Sequence, residues 1–189
     1  MIHTVVEARY PRQVRLNDGT EVTLRPLRST DETRLLEFFQ SIPLSNRMFI
    51  KDKVTDPYVI AGWCHRLDFS TVFPLLGIAG DQIVADATLH QDRTGWQAHI
   101  GRVRYLVHPD YRGKGLATIL IHELHEVARN VALSKTEAHC MAEQHDVIAF
   151  MRKYGYREVA RIKDYVRDID FQPHDMVILV HDLTPETEP

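Results

Sequence analysis

Cysteine is scarce in this chain: only Cys64 and Cys140 occur among 189 residues. Both sit in apolar contexts and read as buried free thiols, so a disulfide framework is not what stabilises the fold. Long hydrophobic runs are also missing, and no stretch approaches the roughly 20 apolar residues of a membrane span. Glu7 and Arg9 fall where the apolar core of a secretory leader would lie, so none is expected. There is no large excess of charge of one sign. A formal charge of −3 offers neither a nucleic-acid surface nor a membrane patch. These absences leave a cytoplasmic globular protein, and 44% hydrophobic with 26% charged residues rules out a disordered one. Its length suits one domain over residues 1–183 with a frayed tail at 184–189. No internal repeat or linker divides it.

Local patterns order the chain. Gln13–Leu16 and Glu21–Arg25 flank Asn17-Asp18-Gly19-Thr20, a hairpin signal because Asp-Gly favours a primed turn. Ser29 or Thr30 is placed to cap a helix to about Gln40 that buries Leu35, Leu36, Phe38 and Phe39. One or two short helices are expected between Pro43 and Leu67, around Pro57. Phe73–Ala79 and Gln82–Leu89 read as strands, residues 90–95 as a polar loop, and Trp96–Val107 as a long strand. A helix from Leu116 to Ser134 turns Leu116, Leu120, Leu124, Val127 and Val131 to the core. Thr136–Ala142 reads as a strand, and Asp146–Tyr154 as a helix closed by Gly155. Tyr156–Ile169 and Met176–His181 form a last strand pair. The order is α+β, with one βαβ crossover in a mixed, mostly antiparallel sheet flanked by helices.

The most informative stretch is Val107-His-Pro-Asp-Tyr-Arg112-Gly113-Lys114-Gly115-Leu116-Ala117. A β-branched run ends there and a glycine-rich turn opens into a helix. Glycines allow close backbone approach, and the first N–H groups of a helix lack partners. With the helix dipole, these groups form an anion site suited to pyrophosphate. Neither standard nucleotide fingerprint fits. A Walker loop needs a hydroxyl after Gly-Lys, and a Rossmann turn needs a third glycine.

Arg-x-x-Gly-x-Ala between strand and helix resembles the acetyl-CoA signature of the GNAT family of N-acetyltransferases. Val22-Thr-Leu-Arg-Pro-Leu-Arg, Thr30-Asp31 and Ala149-Phe150-Met-Arg-Lys-Tyr-Gly155-Tyr156 resemble its flanking motifs. Leu36-Glu-Phe-Phe with Arg47 and Phe49 is similar to the acetyltransferase domains of bacterial acyl-CoA synthetase-like proteins. The resemblance implies a GNAT fold whose fourth and fifth strands, here about 98–107 and 136–142, splay around the pantetheine of acetyl-CoA. It implies that Leu106 and Val107 meet the pantetheine and thioester carbonyl through backbone groups. Arg112, Gly113, Lys114, Gly115, Leu116 and Ala117 would cradle the pyrophosphate. Gln144 stands where an asparagine often ends the fifth strand.

Acyl transfer to an amine also requires loss of a proton from the amine. The family's usual tyrosine acid is Met151 here, and the glutamate base of the synthetase-like relatives is Arg102, which cannot accept a proton. Replacement candidates are Glu143, His99 and Tyr154, with Asp86 and His90 ranked after them. Each also has a structural reading: a solvated strand-end carboxylate, an edge histidine, a core tyrosine. Arg102 and Arg104 share a strand face and form either a carboxylate clamp for the acceptor or a solvent-facing polar face.

Among 11 histidines, His122 and His125 with Glu126 are the tightest group. Helical spacing places them opposite the core face, on a wet surface, so no metal is expected. The reading is acetyl transfer from acetyl-CoA to a primary amine, on a small molecule or a protein lysine, by direct attack in a ternary complex. The alternatives are a GNAT-fold acyl-CoA-binding regulatory module with little catalysis, and an unrelated phosphate-binding α/β domain. Dimerisation is common in the family, so a homodimer stays open.

Overall fold

The computed structural model describes residues 2–50 and 52–183, so the tail expected at 184–189 lies outside the described residues. Helix α1 (Ile2–Arg9) leads into strands β1 (Arg12–Arg15) and β2 (Glu21–Pro26). Helices α2 (Glu32–Ser41), α3 (Leu44–Arg47) and α4 (Pro57–His65) follow, then β3 (Val72–Ala79), β4 (Gln82–Gln91) and β5 (Ile100–Val107). Helix α5 (Leu116–Asn130) crosses to β6 (Lys135–Met141), and α6 (His145–Lys153) precedes the hairpin of β7 (Arg157–Arg167) and β8 (Pro173–Asp182). The strands form one sheet in the order β1-β2-β3-β4-β5-β6-β8-β7. Every neighbouring pair is antiparallel except β5 with β6. This is the mixed α+β sheet the sequence predicts.

Apolar alternation along the strands builds two cores. On one face, Leu24, Phe73, Leu75, Ala87, Leu89 and Val103 pack under Leu116, Leu120, Leu124 and Val127 of α5. On the other, Leu76, Ile78 and Ile83 meet Leu35, Phe38 and Phe39 of α2 and Ile60 and Cys64 of α4. That second layer covers β2 to β4 and leaves the face of β5 and β6 open.

Two ion pairs centred on buried carboxylates fasten the N-terminal elements to this frame. Arg25 grips Asp31 through two 2.6 Å hydrogen bonds, and Asp31 Oδ2 also accepts from the Arg28 N–H at 2.8 Å. Burial opposes ionisation of Asp31, but Arg25 outweighs it and holds the carboxyl below its usual range. Asp31, not Ser29 or Thr30, therefore stands at the N-terminus of α2, and its side chain reaches outward to Arg25. Glu123, buried in α5, accepts from Arg9 at 2.7 and 3.0 Å, from Tyr10 at 3.0 Å and from Arg12. Helix α1 was not visible in the sequence because it carries no clear apolar stripe and is anchored through Arg9 to Glu123, 114 residues away.

Three expectations need correction. The strand ending at Val107 begins at Ile100, because residues 96–99 form a turn. Helix α5 stops at Asn130, where Ala132 takes a φ of 63° and Leu133 N–H folds back to the Ala128 carbonyl. His125 is not on a wet face: it is 2% exposed, 2.7 Å from the Tyr156 hydroxyl and 3.1 Å from the Thr136 hydroxyl, and stacks on His181 at 4.6 Å. The apolar spacing of α5 defined one stripe, whereas Thr136 of β6, Tyr156 just before β7 and His181 of β8 bring polar partners that bury a second.

Burial lowers the His125 pKa to about 3, with His181 adding to the effect. The folded state therefore favours the neutral ring, and its contribution is complete above the ordinary value near 6.5 and lost as pH falls toward 3. Between pH 7 and pH 5 the protein is expected to lose about 2 kcal/mol more stability than His125→Gln, which cannot titrate. Denaturant unfolding of both at the two pH values checks this; parallel losses would show that the fold does not shift the titration of His125.

Candidate active site

The site begins where β5 ends. Val107 leads through a short turn at Pro109–Tyr111 into Arg112, whose Nε donates to the Val107 carbonyl at 3.2 Å. Gly113 and Gly115 take φ values of 71° and 89°, a region that disfavours side chains, and Gly115 caps α5. The first helical bond runs from Ile119 N–H to the Gly115 carbonyl. No described residue accepts from the N–H groups of Gly113, Lys114, Gly115, Leu116 or Ala117. They converge at the positive end of a 15-residue helix, which fits a pyrophosphate.

The β1–β2 hairpin braces this turn. Asn17 N–H donates to the Lys114 carbonyl at 3.0 Å, and Lys114 Nζ lies 2.8 Å from Asp18. A Cβ on Gly115 would meet the Asn17 side chain at 3.2 Å, so even alanine there would strain both loops. Lys114 also stands 5.1 Å above the Tyr111 ring. Its charge is held beside the cradle and shared with Asp18.

Below the cradle, β5 and β6 part. They pair only through Ile100–Lys135, Gly101–Thr136 and Arg102–Glu137. Beyond these, Val103–Val107 continue along β4 and Ala138–Met141 continue along β8, so a gap opens between them. The gap and the uncovered face together form a cleft of about 1860 Å³. Leu106, Ala138, Cys140, Gln144 and Met151 line the gap end. Asp86, Thr88, His90, Arg102 and Arg104 form the floor toward β4. Gln144 Oε1 accepts from Met141 N–H at 2.9 Å, closing the turn into α6.

The candidate proton carriers are scattered by the fold. His99 lies in the turn before β5, exposed, with its carbonyl accepting from Ser134 and Lys135 at the closed end of the strand pair. It is outside the cleft. Tyr154 packs its ring 5.4 Å from His125 and 6.2 Å from Phe150, and burial pushes its hydroxyl pKa up. It does not line the cleft either. Glu143 accepts from His174 at 3.0 Å, and His174 also bonds Asp168 at 2.9 Å. That histidine holds the Glu143 carboxyl below its usual range and so makes it a weaker base.

Arg102 and Arg104 do share a face, but each already meets a carboxylate. Arg102 Nε donates to Glu137 at 2.8 Å, and Glu137 is 3.1 Å from His139. Arg104 is 3.6 Å from Asp52. Both cysteines are buried and free, and burial pushes the Cys140 thiol up to about 11. Met151 is 1% exposed core. The residue that sequence reasoning ranked low is Asp86. Its signal was the alternation Asp86, Thr88, His90, a polar face on an otherwise apolar strand.

An eight-stranded mixed sheet, a single parallel pair that splays, and a helix opening on glycines at that gap are the features that the resemblance to the GNAT fold implies. The model of the Acetyltransferase (GNAT) family matches residues 36–156. The chain belongs to that family. Solved structures agree on the fold. The GNAT domain of S. lividans PAT superposes with a TM-score of 0.74 at 20% identity, covering 93% of this chain and 98% of that one. The ribosomal-protein-S5-alanine acetyltransferase from Vibrio fischeri gives 0.77 at 13% identity, with 89% and 96% covered. The putative acetyltransferase yncA from Salmonella typhimurium, solved with its cofactor acetyl-CoA, gives 0.72 at 17% identity, with 89% and 97% covered.

The cradle makes a test that spares the fold. Thr118 is exposed in the first turn of α5. An aspartate there favours the helix by about 0.3–1 kcal/mol but repels a phosphate. Thr118→Asp should keep or slightly raise the melting midpoint without ligand and lose the stabilisation by CoA. For the unaltered protein that stabilisation is about 2.7 kcal/mol at 100 times Kd. A thermal titration showing equal stabilisation of both proteins would refute the cradle.

Proposed function

We propose that this protein transfers an acetyl group from acetyl-CoA to a primary amine by direct attack in a ternary complex. The observation that carries this reading is the gap between β5 and β6, open at one end to the unpaired N–H groups that begin α5 and on one face to a cleft. Pyrophosphate on residues Arg112–Ala117 would send the pantetheine down the gap, past the backbone of Leu106 and Val107 and toward Gln144. A neighbour solved with acetyl-CoA supports the choice of donor. Similarity in the Leu36–Phe49 region to acetyltransferase domains of acyl-CoA synthetase-like proteins goes with this reading, as does a cytoplasmic location.

The reaction joins two reactants held in one geometry, which replaces a bimolecular collision by a positioned attack. A covalent route finds no support, because a Cys140 thiol near 11 is almost wholly protonated at neutral pH. No tyrosine acid is needed at Met151, since the second proton of the attacking nitrogen is available to the leaving thiolate. The acceptor enters from the open face of β5 and β6, between α3–α4 and the β7–β8 hairpin. Tyr58, Tyr165 and Phe171 stand exposed on those two walls.

Free thiol release from acetyl-CoA, measured with L-amino acids, spermidine and a lysine peptide, tests the reading. Turnover with one of these, with the acetylated amine found by mass spectrometry, is the expected result. Binding of acetyl-CoA with no product from any amine would favour the acyl-CoA-binding module instead.

A further inference from the structure

Resting on that acetyl-transfer reading, we propose that Asp86 is the general base that takes the proton from the acceptor amine. In β4 it lies in register with Leu76 of β3 on one side and Leu106 of β5 on the other. It is therefore directly beside the strand end that meets the thioester in this reading. Its side chain faces the cleft with Thr88 and His90, and no described residue donates a hydrogen bond to it. A carboxylate set between two leucines, in a cleft and without a donor, is suited to receiving a proton rather than to holding a fold together.

The surroundings tune it. Burial pushes the Asp86 carboxyl up to about 7, and Arg104, diagonal to it on β5, draws it down. Arg104 is itself shared with Asp52. Along β5 the next charge, Arg102, is bonded to Glu137, which His139 on β6 also approaches. On its own strand His90 is 3.0 Å from the Thr88 hydroxyl. From α2 the lining residues Leu35 and Phe39 carry no charge, and Arg47 and Arg66 line the cleft from α3 and the end of α4. A carboxyl raised in this way lies closer to an amine's range than an ordinary aspartate.

The step balances as follows. The ammonium form of the acceptor gives one proton to Asp86, and its nitrogen lone pair attacks the thioester carbonyl carbon. A C–N bond forms and the carbonyl π electrons move to oxygen. On collapse the C–S bond breaks, the sulfur leaves with the electron pair, and the second nitrogen proton goes to it. The products are the amide, CoA as a thiol, and one proton that Asp86 releases to solvent.

Asp86→Asn and Asp86→Glu, assayed from about pH 5 to pH 9 with acetyl-CoA and the amine from the panel that turns over, test the assignment. Asp86→Asn should lower kcat at pH 7 by about 10² to 10⁴-fold, keep the stabilisation by acetyl-CoA, and lose the limb of the rate profile near pH 7. Asp86→Glu should recover that limb and part of the rate. Unchanged kcat in Asp86→Asn, or a lower rate with the limb retained, would overturn Asp86 as base and leave the transferase reading standing. Unaltered protein that binds acetyl-CoA but acetylates no amine would overturn both.

Discussion

The parting of β5 from β6 is the constraint on which the site depends. Two neighbouring strands in a sheet gain a hydrogen bond for nearly every residue they pair, so a fork must be held open from elsewhere. Here each strand keeps its other neighbour: β5 stays on β4 and β6 stays on β8. The root of the fork is sealed at Gly101, where a Cβ would come within 2.6 Å of Leu89 and 2.7 Å of Leu133. Those side chains close over the missing one. Just beyond it Arg102 bonds to Glu137 across the last paired position. The fork therefore opens at a fixed place, and its depth sets how far a thioester would travel past Leu106.

That assignment changes what Arg102 is for. As a substrate clamp it would have to leave Glu137, a carboxylate held below its usual range by His139 and Arg102 together. Exchanging one carboxylate for another yields little net attraction, because the partner left behind loses its own. Arg104 is more weakly committed, at 3.6 Å from Asp52. Of the two arginines, one holds the fork and the other answers to the charge on Asp86.

Much of the fold was legible in the sequence because its signals are local. Asp18-Gly19 set the hairpin, Pro57 set the start of α4, and the glycine pair before Leu116 marked a turn that only positive φ satisfies. The cradle was legible for the same reason: it is built from consecutive main-chain groups. The candidate proton carriers were not, because their surroundings are set by contacts across the sheet. Glu143 follows the end of β6, and His174 arrives from β8 and engages it. His99 was counted in a strand because the pattern of Trp96–Val107 gave no sign of the turn at residues 96–99. His125 shows the limit most clearly, since a helical stripe assigns one face to water, and the partners that bury that face sit 11 and 31 residues away.

The same distinction explains why Asp86, in β4, and Glu143, in the turn after β6, differ as proton acceptors although both are carboxylates. Glu143 is half-exposed and hydrogen-bonded to His174, so its charge is stabilised twice, by water and by that ring. Asp86 faces leucines on both flanks, and the single opposing influence is a diagonal arginine already shared with another acid. Desolvation raises an acid's pKa where a hydrogen-bonded cation lowers it. The strand floor thus holds the more basic carboxylate, and the turn after β6 the less basic one. Its alternation of polar and apolar residues places the more basic one beside Leu106, where an incoming amine would meet the thioester.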